Sequence, residues 1–153
     1  MVKFKVPLER ANRERIQARP QVHGLVGVRE VDGGVIDQLV ARSDFALRLF
    51  HLHGEGMGLT IFAGGLMVKN FLAPSLLSRG LYVMLALGGF LYPFGYLAWS
   101  STIPLLGVER SKELVEYLVW IPFGGAALAA IGVISLALVR NIYLARRARE
   151  AGA

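Results

Sequence analysis

Two histidines, a carboxylate and a thioether fall close together in the run RLFHLHGEGMG: His51, His53, Glu55 and Met57. An imidazole titrates near neutral pH, so beside a carboxylate it can relay a proton. The same ring nitrogens are ligands for copper or zinc, and either could serve as an axial haem ligand. Spacing restrains these chemistries. On a helix, His51 and His53 lie about 200° apart and cannot grip one ion together. His51 does share a face with Glu55, and His53 with Met57, each at i, i+4. If Gly54, Gly56 and Gly58 unwind the backbone, the two imidazoles can converge as an extended H-x-H of copper or zinc type. Proton or quinone handling at this cluster is therefore weighed against metal or haem ligation by His51 or His53. The plain alternative is a pair of interfacial histidines touching headgroups or a neighbouring subunit.

The rest of the chain narrows the choice. The apolar runs at 81–99 and 114–139 hold no histidine, and Met67 and Met84 lie towards the far end from the cluster. A six-coordinate haem would need a ligand from another chain. No cysteine is present, which excludes disulfides, iron–sulfur clusters and thiolate chemistry. Nucleophile-elbow, zinc-protease, Walker and dinucleotide-binding motifs are all missing, so no complete catalytic site is expected. GEGMG leads into an apolar run rather than the helix of a βαβ unit. His23 stands alone and reads as a surface histidine.

The cluster sits at the mouth of the first of three long apolar runs, residues 56–73, 81–99 and 114–139. About 20 apolar residues in a helix span a hydrocarbon core of about 30 Å, and each run approaches or exceeds that length. The second run carries no charge and the third only Glu116. The first carries Lys69 near its end, where a long side chain can snorkel to the headgroups. The fold class expected is an all-α, polytopic membrane protein with three transmembrane helices preceded by an amphipathic helix. A soluble helical bundle would lack polar surface to cover three such runs. The mean hydropathy of +0.49 agrees.

Four segments follow: a basic N-terminal extension at 1–34, an amphipathic helix at 35–53, a three-helix membrane domain at 54–141 and a basic tail at 142–153. In the second, Ile36, Leu39, Val40, Ala46, Leu47 and Phe50 recur at spacings of three and four, with Asp44 and Arg48 paired at i, i+4. It either lies along the interface or forms a fourth, protein-shielded crossing. The extension divides at Pro20 into a surface helix and a loop or short extended piece, with Asp32, Gly33 and Gly34 leading into the next helix. It contains no cleavable signal peptide.

Pro93 and Pro122 should kink or loosen their helices. Gly54/Gly58, Gly125/Ala129 and Ala126/Ala130 permit close helix approach. Tyr96, Trp99, Tyr117 and Trp120 flank a loop at 100–113 as an interfacial belt, with Tyr82 and Tyr143 on the other side. The net charge is +6. Lys69, Arg79, Arg140, Arg146, Arg147 and Arg149 are expected to contact lipid headgroups. No base-stacking aromatics interleave with the arginines, so no nucleic-acid partner is expected. Three crossings place the two basic termini on opposite faces and four place them together, so orientation stays open.

The functional expectation is an auxiliary subunit of a larger membrane complex, respiratory or otherwise energy-transducing, in a prokaryotic plasma membrane. Its partners are the bilayer and other membrane subunits. A self-contained haem or copper protein and a small homo-oligomeric channel or transporter are the alternatives.

Overall fold

A computed structural model describes residues 2–151, with side chains from residue 6 onwards. Among the described residues every regular element is helical: α1 (Val2–Gln17), α2 (Pro20–His23), α3 (Arg29–Phe71), α4 (Leu76–Leu91), α5 (Phe94–Leu106), α6 (Val108–Val115), a π-helical segment (Glu116–Gly124) and α7 (Gly125–Ala151). Two stretches, Leu76–Leu106 and Val108–Ala151, are long and apolar enough to cross a membrane. A third span over the run at 56–73 is not shown: α3 ends at Phe71, so the run outlasts its helix.

α3 begins at Arg29, ahead of the expected start at 35. The Asp32 carboxylate accepts hydrogen bonds from the amides of Val26 (2.8 Å) and Gly27 (2.9 Å), folding the preceding loop against the helix start. Glu30 and Asp32 occupy the first turn, where the helix dipole favours negative charge. From there α3 continues unbroken to Phe71, so the amphipathic stretch and the first apolar run share one helix.

The chain divides into two compact units, Met1–Leu52 with Pro93–Leu118, and His53–Tyr92 with Val119–Ala153. In the first unit Ile16, Ile36 and Val40 form a buried cluster flanked by Leu25 and Leu39. α1 is thus seated through Ile16 and Asn12 rather than lying loose on the surface. The expected loop at 100–113 is mostly helix. α5 continues to Leu106, Gly107 turns the chain at φ 81°, and α6 buries Ser111 and Val115. Trp99 is buried within this unit and its Nε1 donates to the Val108 carbonyl at 3.4 Å, so it packs where a belt residue was expected.

In the second unit α4 packs along α7. Val68, Leu81, Leu85, Ala130 and Ile134 form the core. Gly88 lies so close to the opposite helix that a Cβ there would stand 2.6 Å from the Phe123 carbonyl oxygen and 2.9 Å from the Ala127 nitrogen. Ala130 is buried as the small-residue pattern expected. Gly54, Gly58 and Gly125 instead face open space. Close approach is set by which glycine meets the partner backbone, and spacing within one helix does not encode that.

Both prolines act on their helices. α4 ends at Leu91 and Pro93 opens α5. Pro122 lies inside the π-helical segment, where wider winding accommodates a residue that has no N–H and crowds the preceding turn.

Candidate functional site

Because α3 stays helical from 51 to 57, the extended H-x-H arrangement does not form. The helix instead divides the four candidates between two faces. His53 and Met57 pack inward in the second unit. The His53 ring lies 5.9 Å from that of Tyr92, and the Met57 methyl sits 3.2 Å from where a Gly89 Cβ would be. His51 and Glu55 are exposed. His51 touches the neighbouring Phe50 ring at 5.4 Å, and among the described residues no ion pair joins it to Glu55. Among the described residues no three of His, Cys, Asp and Glu gather as a metal site. What remains on that face is an exposed imidazole and an exposed carboxylate one turn apart on α3.

A polar cluster that the sequence reading missed lies in the first unit. Pro104 has no N–H to offer the Ser100 carbonyl, its normal helical acceptor four residues back. The Ser43 hydroxyl replaces it, donating to that oxygen at 2.7 Å. Ser100 returns the bond through its hydroxyl to the Ser43 carbonyl at 2.8 Å, and Asn12 donates its amide to Ser43 Oγ at 3.2 Å. All three side chains are buried. Two signals could have pointed here: a serine on the apolar face of 36, 40 and 47, and a proline spaced to orphan a second serine's carbonyl.

His23 is another difference. It is half-buried, and its Nε2 lies 3.1 Å from the Pro104 carbonyl near the end of α5. That carbonyl is one of those a helix terminus leaves without an internal donor, so His23 caps α5 as the Nε2–H tautomer. Nearby, a half-open crevice of about 450 Å³ is lined by Arg13, Arg29, Asp32, Leu25 and Ile36. Arg13 bonds Asp37 at 2.6 Å, which keeps this surface balanced in charge.

No family model, curated protein or solved structure matches the chain. The six cations expected at headgroups are all exposed: Lys69 on α3, Arg79 on α4, and Arg140, Arg146, Arg147 and Arg149 on α7. The Arg147 guanidinium lies 5.1 Å from the centre of the Tyr143 ring.

Proposed function

We propose that this chain is an accessory subunit of a larger membrane assembly, contributing scaffold rather than a complete active site. The observation that carries this reading is the outer face of α3, where Glu55 stands exposed between Gly54 and Gly58, a turn after exposed His51. An ionisable side chain exposed at the end of a helix unit marks a face that something else meets, and the open glycines beside it let a neighbouring protein helix come close. Leu128 and Leu136 on α7, at 71% and 72% exposure, likewise need lipid or protein around them. We further place the assembly among energy-transducing complexes, where an exposed imidazole and carboxylate one turn apart would meet a partner that uses them.

Purification from the native membrane in mild detergent tests this. The chain should come out with other membrane subunits in fixed stoichiometry. Glu55→Gln and His51→Ala should lower the activity of the assembled complex without removing the subunit. A lone monomer in every detergent used would sink the reading.

A further inference from the structure

The second unit gathers its cations at one end. The Asn141 side-chain amide donates to the Phe71 carbonyl at 2.7 Å, which sets this level of α7 against the end of α3. α4 starts five residues later, at Leu76, capped by reciprocal bonds between Ser75 and Ser78. Val68, Leu81 and Ile134 form the core just beneath. Lys69, Arg79 and Arg140, far apart in sequence, therefore surround one end of the unit. Beyond Asn141, α7 continues to Ala151, a rise of about 15 Å, carrying Arg146, Arg147 and Arg149. Glu150 is the single carboxylate among these residues. None of the six cations forms an ion pair with a carboxylate among the described residues. The opposite end of the unit carries Glu55 and His53 but no lysine or arginine.

We infer that this end is a collar that binds anionic phospholipid headgroups and holds the C-terminal end of α7 at the anionic leaflet. The inference rests on the membrane reading above, but not on the chain having protein partners. Guanidinium groups match phosphate oxygens in paired hydrogen bonds, and their excess positive charge selects headgroups with net negative charge. Lipid is favoured over an acidic protein because apolar exposure runs directly into the collar. Leu76, Leu77, Leu136, Val139 and Ile142 are all exposed beside the cations. A leaflet covers both surfaces at once, hydrocarbon on the leucines and phosphate on the arginines. Tyr82 and Tyr143 lie at the same end, as interfacial aromatics do.

The test uses the full chain reconstituted in phosphatidylcholine vesicles with and without phosphatidylglycerol, then extracted gently so that retained lipids can be counted by native mass spectrometry. Each basic residue near an anionic surface contributes about fivefold, so wild type should retain phosphatidylglycerol over phosphatidylcholine by about tenfold or more. The variant with Arg140, Arg146, Arg147 and Arg149 changed to Gln should lose that preference, and the corresponding Lys variant should keep it. Unchanged phosphatidylglycerol retention in the Gln variant overturns the inference and leaves the cations to an acidic protein. A chain that carbonate strips from the vesicles overturns the membrane reading, and this inference with it.

Discussion

In the unit formed by Met1–Leu52 and Pro93–Leu118, buried polar contacts tie helices together: Asn12, Ser43 and Ser100 interlock α1, α3 and α5. In the unit formed by His53–Tyr92 and Val119–Ala153, glycines do this work, with Gly88 against Phe123 and Ala127, and Gly64 against Leu85. Charge is handled differently too. The first unit pairs Arg10 with Glu14, Arg13 with Asp37 and Arg48 with Asp44. The second collects six cations against two carboxylates and pairs none of the six among the described residues. The contrast separates two ways of specifying a helix contact. A directional hydrogen bond fixes register, while a missing side chain fixes distance. Packing by shape suits helices surrounded by lipid, where burying apolar surface against another helix gains little over burying it in hydrocarbon.

Substitutions at the two kinds of contact should break this comparison in different ways. The largest effect is expected at Gly88. A leucine there meets backbone atoms that cannot swing aside, so α4 and α7 must separate, at about 3 kcal/mol or more. Thermal unfolding in detergent should show a large fall in midpoint for Gly88→Leu and almost none for Gly58→Leu, which faces open space. Similar midpoints for the two would mean that glycine proximity does not hold the second unit together.

A middle-sized effect is expected at Ser43. Ser43→Ala leaves the Ser100 carbonyl without a donor, costing about 1–3 kcal/mol. Adding Pro104→Ala restores an N–H to serve that carbonyl, so the double variant should recover part of the loss. Denaturant titrations of the four members of this cycle give the coupling, and strictly additive effects would count against the proline account.

The smallest effect is expected at the Arg13–Asp37 pair, whose side chains are 46% and 64% exposed. Arg13→Gln should cost under about 1 kcal/mol, and the difference should fade in high salt as screening replaces the pair. A salt-insensitive loss would show that Arg13 acts through packing of its stem.

Much of the local structure was legible because it depends on neighbours in sequence. The Asp44–Arg48 pair forms as its spacing implied, with bonds of 3.1 and 2.9 Å. The i, i+4 relations of His51 with Glu55 and of His53 with Met57 also follow from an unbroken α3. Other features depended on residues far along the chain. Nothing near Ser43 announces Ser100, 57 positions away, as its partner. His23 looked like a surface residue because its acceptor, the Pro104 carbonyl, lies 81 positions on. Gly54 and Gly58 carry the spacing of a packing face yet stay open, while Gly88 lacks that signal and makes the tightest approach.

The sequence by itself determined the helical class, the apolar stretches, the loosening at Pro93 and Pro122, and the excess of cations. Propensity, hydropathy and ring constraints act over a few residues, so they can be read without knowing the fold. Only the tertiary structure decided which face of α3 turns His53 inward and leaves Glu55 outside, and which serine completes the carbonyl that Pro104 orphans. It also brought Lys69, Arg79 and Arg140 to one end of a single unit. Those outcomes depend on which helix lies beside which. A periodic pattern shows that a face will be buried, but the partner is chosen by the fit of whole surfaces.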